Sequence, residues 1–316
     1  MSRPAVPPPG PHGGDGLVVA QHLGLDPASV VDLSMSLNPF APDVAVLAQP
    51  HLDALGRYPD PAGATRALAE AMDVDPARLV LTPGGSAAIS LVAGTIGGTV
   101  VAEPEFSLHP RHGSGPRWRS NPHSPTGVLA AADERADVWD EAFYALATGS
   151  WTRGDAGTVV VGSLTKLFAC PGLRLGYVLA DDAAELAAAL PAWPIDGLAL
   201  AVLPALLARA DLPAWSDRIA VRRQELSALL AEHGLTVVAG DGPWVLSPAP
   251  GLRDRLAPHG IVVRDCASFG LDGWVRIAVP GDRGLERLAA ALPLATDALH
   301  PGGVDARPTR PAEDAS

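Results

Sequence analysis

Short apolar runs rich in β-branched residues alternate with stretches of helical period along most of this chain. Leu79–Leu81, Thr99–Val101, Thr158–Val161 and Tyr177–Leu179 lack the polar alternation of a half-exposed strand, which predicts strands buried on both faces. Between them, residues 64–72 and 86–95 repeat apolar side chains at helical spacing. Buried strands separated by helices are the ordering of an α/β fold with a mainly parallel sheet, because parallel neighbours need a crossover connection. From about Leu198 to His233 the pattern is helical, with interruptions expected at Pro204 and Pro213. Four strand-like runs between Leu235 and Val279 then alternate with helices, the signature of a second, smaller α+β unit. The expected organisation is a disordered start over 1–11, a segment over 12–45 that packs on the small domain, a large domain over 46–200, the small domain over 201–298 and a disordered tail over 299–316.

At 316 residues and 47% hydrophobic content the chain can bury a substantial core. A formal net charge of -12 repels phosphate backbones and anionic lipid surfaces, which argues against nucleic-acid and membrane partners. The only cysteines, Cys170 and Cys266, lie far apart, and no apolar stretch approaches the roughly 18 residues of a membrane span. The Pro- and Gly-rich start lacks the basic-then-apolar order of a signal peptide, so a cytoplasmic protein is expected.

Of the 23 lysines and arginines, one is a lysine: Lys166, in Gly162-Ser163-Leu164-Thr165-Lys166-Leu167. Arginine substitutes for lysine as a surface charge but never as a deprotonatable amine, so the retained residue points to an amine that attacks a carbonyl. Pyridoxal 5'-phosphate is a cofactor that needs such a lysine, and it needs three further things. A carboxylate must sit against its pyridine nitrogen; Asp140, at the end of a strand-like segment, is the candidate, against the alternative of a solvated turn. A phosphate cradle is offered by Thr82-Pro83-Gly84-Gly85-Ser86, where a strand turns into a helix, completed by Ser163 and Arg174. A ring over the pyridine is offered by His109, against the alternative of an exposed loop histidine.

These motifs, with His12-Gly13-Gly14, Asp32-Leu33-Ser34-Met35-Ser36-Leu37-Asn38-Pro39, Asp140-Glu141-Ala142-Phe143 and Ser163 to Tyr177, resemble the fold-type I pyridoxal-phosphate enzymes of the class I/II aminotransferase superfamily. Within it the chain is most similar to the cobalamin-pathway branch of threonine-phosphate decarboxylases, itself related to histidinol-phosphate aminotransferases. The resemblance implies a large domain around a mainly parallel sheet plus a smaller α+β domain, with Lys166 as the cofactor-bearing lysine and Asp140 on the pyridine nitrogen. It implies Gly85, Ser86, Ser163 and Arg174 at the phosphate, Tyr58 reaching a neighbouring subunit's cofactor in a homodimer, and His12, Asn38 and Arg276 on the substrate side. Three departures stand out. Ser124 replaces the asparagine that bonds the cofactor's phenolic oxygen. The intervals 109–121 and 127–140 are too short for the helix and strand that relatives carry, so the large domain is expected to be trimmed there. Ile277-Ala278-Val279-Pro280 lacks a second arginine, for which Arg283 is a possible substitute. Three readings remain open: decarboxylation of L-threonine O-3-phosphate, transamination of histidinol phosphate or another amino acid, and a non-catalytic cofactor-binding homologue.

Overall fold

A computed structural model describes residues 5–296 apart from 113 and 156, so the tail expected to be disordered over 299–316 and the first four residues lie outside the described residues. Within it run the strands β1 (Val31–Leu33), β2 (Leu79–Thr82), β3 (Gly98–Val100), β4 (Arg111–His112), β5 (Arg117–Ser120) and β6 (Val138–Asp140). They are followed by β7 (Val159–Gly162), β8 (Gly176–Leu179), β9 (Val238–Ala239), β10 (Trp244–Pro248), β11 (Ile261–Asp265) and β12 (Trp274–Ala278).

Seven strands form a sheet in the order β2-β8-β7-β6-β5-β3-β4. β3, β5, β6 and β7 run parallel, β8 is antiparallel to both of its neighbours, and β4 closes one edge antiparallel to β3. Every residue of β2 and of β8 is buried, because successive side chains enter two different cores. Val80, Val138, Val161 and Val178 pack under the helices Gly85–Ile96 and Ala183–Ala188. Leu79, Leu81, Trp139 and Val160 face the opposite way, against the helices Ala62–Met72 and Gly197–Leu207 and the first turns of Leu212–Glu232.

The parallel connections from β3 to β5 and from β5 to β6 contain no helix among the described residues. The backbone groups that a helix would have satisfied internally are met by arginines instead. Arg111 donates to the carbonyls of Glu105, Phe106 and His109, and Arg153 to those of Ala132 and Glu134.

The smaller sheet has the order β1-β11-β12-β10-β9, with β1 parallel to β11 and the other pairs antiparallel. Its core gathers Leu33, Val245, Ile261, Val263, Ile277 and Leu288. The helix Leu212–Glu232 serves both cores: Trp215 and Ile219 enter the first, Leu226 and Leu230 the second. The interruption expected at Pro204 is absent, since Gly197–Leu207 runs through it and the break falls at 208–211. Pro213 sits in the first turn of the next helix, where a missing N–H costs nothing, behind the capping carboxylate of Asp211. The boundary expected between residues 200 and 201 thus lies inside a helix whose buried face belongs entirely to the first core.

The start of the chain is attached to the smaller sheet. Asp15 pairs with Arg253 at 2.9 Å, and the Gly14 N–H donates to Ser34 Oγ. Residues 5–11, expected to be disordered, also carry contacts: Pro7 O accepts from Arg253, and Val6 packs beside Val19 and Val262.

Candidate active site

In an open parallel sheet the carboxyl ends of neighbouring strands share one crevice. Here β6 ends on Asp140, β7 leads through Ser163 into the short helix bearing Lys166, β2 leads into the helix Gly85–Ile96, and β5 ends one loop before Ser124. Together with the edge of β11 and β12 they enclose a cavity of about 260 Å³.

Lys166, Asp140, Ser124 and Ser163 line its floor. Burial, reinforced by the positive charges of Arg276, Arg174 and Arg264, brings the Lys166 amine down from 10.5 to about 8. Asp140 is buried, with Oδ1 accepting the Ala142 N–H at 3.0 Å and Oδ2 lying 2.9 Å from His109 Nε2. Glu141, next in sequence, turns away and accepts from the Arg153 N–H; burial raises it to about 7.

Gly85, Ser86 and Arg174 form one end of the cavity. The first amides of a helix have no partner within it, and Gly84, at the cap position, supplies no side chain to satisfy them. Gly84 has φ +89°, and a Cβ there would lie 2.6 Å from Arg174 Nη2; a Cβ on Gly85 would lie 3.0 Å from the Ser163 Cβ. The glycines therefore let a guanidinium, a hydroxyl and open amides converge, a donor set that fits the phosphate of pyridoxal phosphate, as the carboxylate of Asp140 fits a pyridinium and the Lys166 amine fits an aldehyde.

Arg276 and His12 line the other end, joined by Arg264. Arg264 and Arg276 are opposite each other in the β11–β12 register, both buried, and neither has an acidic partner among the described residues. The Nε of each is without a hydrogen-bond partner. Arg276 rests on the Trp244 ring at 4.7 Å, and burial together with Arg264 lowers it to about 9. The His12 imidazole is held below its ordinary value by burial, Arg264 and Lys166. Buried guanidiniums without carboxylates make a receptor for anions.

Four expected residues stand elsewhere. His109 is neither exposed nor over the cavity: it is buried behind Asp140, and Phe106 takes the place on the wall, its ring edge-on to His109 at 5.7 Å. Asn38 does not reach the cavity because its amide is fully engaged with backbone. Its Nδ2 donates to Leu167 O at 2.9 Å, its Oδ1 accepts from Phe40, and its own N–H donates to Lys166 O, so it clamps the turn that carries the lysine. Tyr58 is 77% exposed and stacks on Trp193 at 4.4 Å. Arg283, the possible second arginine, is exposed and donates to Ala28 O; Arg264 occupies the cavity instead. Arg264 lies in an Arg264-Asp265-Cys266 segment that adds to the family resemblance, and Phe106 in the segment that ends on His109, but the sequence attaches a role to neither; the strand register across from Arg276 gives the arginine one.

The family described as Aminotransferase class I and II matches residues 118–292. The chain belongs to that family. A histidinol-phosphate aminotransferase of Mycobacterium tuberculosis is 33% identical over 69% of this chain and 67% of its own length. A threonine-phosphate decarboxylase of a Sinorhizobium species is 33% identical over 54% of this chain and 57% of its own. Among solved structures, histidinol-phosphate aminotransferase from Sinorhizobium meliloti in complex with pyridoxal-5'-phosphate superposes with a TM-score of 0.77, at 18% identity, covering 90% of this chain and 95% of that one. Like the family, this chain is a pyridoxal-phosphate-dependent enzyme on the fold-type I scaffold. No single helix among its described residues is long and apolar enough to cross a membrane.

Proposed function

We propose that this aminotransferase-family enzyme decarboxylates a small phosphorylated amino acid, L-threonine O-3-phosphate, giving aminopropanol phosphate of the kind used for the cobalamin side chain. The observation that carries the reading is the buried Arg264–Arg276 pair beside His12, two uncompensated guanidiniums at the end of the cavity away from the phosphate cradle. A substrate with both a carboxylate and a side-chain phosphate offers one anion to each. Histidinol phosphate offers only one.

Arg174, the amides of Gly85 and Ser86 and the hydroxyl of Ser163 would hold the cofactor's phosphate, Asp140 its pyridine nitrogen and Ser124 its phenolic oxygen. Pyridoxal phosphate, when bound, supplies the electron sink for the pair left on the substrate's Cα. Arg276 grips the carboxylate, while Arg264 and His12 fix the phosphate, so the two ends of the substrate decide which Cα bond is presented for cleavage. The carboxylate leaves as carbon dioxide, its bonding pair stays at Cα, and Lys166 Nζ delivers the proton that replaces it. An amine brought to about 8 takes up and gives up that proton readily near neutral pH. Exposed Tyr58, in Arg57-Tyr58-Pro59-Asp60-Pro61, is assigned to the cofactor phosphate of a second copy in a homodimer, on the family resemblance alone.

Transamination is the second reading, favoured by the histidinol-phosphate aminotransferase relative and its greater coverage of the chain. Carbon dioxide release from L-threonine O-3-phosphate is compared with amino-group transfer from histidinol phosphate to 2-oxoglutarate. Release that exceeds transfer is the expected outcome; transfer without release moves the assignment to an aminotransferase, and the absence of both reactions overturns the substrate assignment.

A further inference from the structure

We propose that Glu105 is a positioning residue for Asp140, acting through His109. This rests on the assignment of Asp140 to the cofactor's pyridine nitrogen. Glu105 is buried beneath the cavity wall and does not line it. Its two oxygens accept the Ser120 N–H at 3.0 Å, the Ser120 hydroxyl, and the Phe106 N–H at 3.1 Å, an acceptor-only arrangement that suits a carboxylate. A carboxylate taken wholly out of water is costly, and its nearest cationic or imidazole partner is His109, whose Nδ1 lies 3.8 Å from Glu105 Oε1.

The His109 ring is walled by Trp118, with centroids 5.5 Å apart, and by Phe106 at 5.7 Å. Its two nitrogens face two carboxylates: Nε2 lies 2.9 Å from Asp140 Oδ2, and Nδ1 has no hydrogen-bond partner, only Glu105 beyond it. Rotating the ring by half a turn would put carbon in both places. With a carboxylate facing each nitrogen, this orientation is favoured over the flipped one, which would turn carbon toward both anions; it is the orientation in which Nε2 can donate to Asp140 Oδ2 while Oδ1 stays on the Ala142 amide, and so it fixes the carboxylate toward the cavity. The main chain of the segment is already set by Arg111, bonded to the carbonyls of Glu105 and His109, so the side-chain contacts are what remains to orient the ring. Outer groups that orient an active-site ligand in this way are worth about tenfold or more in activity when removed.

The test uses holoenzyme and a double-mutant cycle of Glu105→Gln and His109→Phe, read by kcat and by the absorption band of bound pyridoxal phosphate. Glu105→Gln is expected to lower kcat about tenfold and move the band, His109→Phe to do the same, and the double variant to be no worse than His109→Phe alone. Additive losses, or a band unmoved by Glu105→Gln, overturn the proposal. Nitrogen-15 NMR of the wild-type ring decides the matter even where a variant does not fold: His109 must carry a proton on Nε2, and a bare Nε2 overturns it. Asp140→Asn separates the two layers. A band unmoved by that change sinks the pyridine-nitrogen assignment itself, whereas a band moved by Asp140→Asn but not by Glu105→Gln sinks only the role of Glu105.

Discussion

Replacing Lys166 by methionine should make the cofactor-free protein more stable. The amine is brought from 10.5 to about 8 by burial and by three guanidiniums. Each tenfold change in proton affinity is about 1.4 kcal/mol, so holding the ammonium form in the folded protein at neutral pH costs about 3 kcal/mol. The sign follows from linkage: the unfolded chain binds this proton more tightly, so the penalty is fully present below about pH 8 and is gone above about pH 10.5. Methionine matches the stem of lysine and carries no charge. At pH 7 the Lys166→Met apoprotein should therefore melt roughly 6 °C or more above the wild type, at about 2 °C or more per kcal/mol for a chain of this size. Differential scanning calorimetry on both apoproteins, stepped from pH 7 to 10.5, measures the gap, which should close toward the alkaline end as the wild-type lysine loses its proton. A variant that melts at or below the wild type at pH 7, or a gap that stays constant to pH 10.5, refutes the reasoning. The expected outcome makes the lysine a stability cost carried for chemistry.

Gly84→Ala forces a Cβ to within 2.6 Å of Arg174 Nη2 at a positive φ; displacing the guanidinium should weaken pyridoxal phosphate at least about tenfold by fluorescence titration, and unchanged affinity would remove Arg174 from the cradle. Arg276→Leu should raise KM for L-threonine O-3-phosphate about a hundredfold, the worth of a charged hydrogen-bonded pair, with cofactor affinity intact; a fall in kcat alone contradicts the carboxylate role. Asn38→Ala strips two side-chain bonds from the lysine turn and should cost about 2 kcal/mol in urea melts while lowering kcat more than it raises KM; the reverse kinetic pattern would return Asn38 to the substrate.

The parts of the site that lay open in the sequence are those whose chemistry is local. A lone lysine three residues after Ser163, a strand ending on Asp140, and Gly84-Gly85-Ser86 between strand and helix each carry their proposed role within a few residues, and Lys166, Asp140, Gly85 and Ser86 do line one cavity. The middle of the sheet was legible for the same reason, β2, β7 and β8 being buried along almost their whole length, whereas β3, expected to be buried on both faces, is only half-buried at the sheet's far side. What escaped depends on pairing across long separations. His109 reads as a ring over the pyridine or an exposed loop histidine until β3, β5 and β6 bring its loop under Asp140, Arg264 is one residue of a family-like segment until the register sets it opposite Arg276, and Asn38 is 129 positions from the carbonyl that claims it. Pro204 misleads because propensity penalises it in a helix, yet its neighbours Val202, Leu203 and Leu206 are buried in the core, and their packing overrides that penalty.

The pairing of β1 with β11 has a consequence for how the molecule is made. Val31 leaves the ribosome well over two hundred residues before its partner Ile261. During synthesis the large sheet can close around β7 and β8 once residue 179 has emerged, but the N-terminal strand must wait for a stretch that does not yet exist, and with it His12 on one side and the Asn38 clamp on the other. A nascent chain at that stage has Lys166 and the Gly84-Gly85-Ser86 turn but neither Arg264 nor Arg276, so on the proposed assignment the groups meant for the cofactor are made before those meant for the substrate. The interval is also when β1, three residues with no partner, is most open to mispairing, which makes the wait for β11 the step at which this enzyme most needs protection.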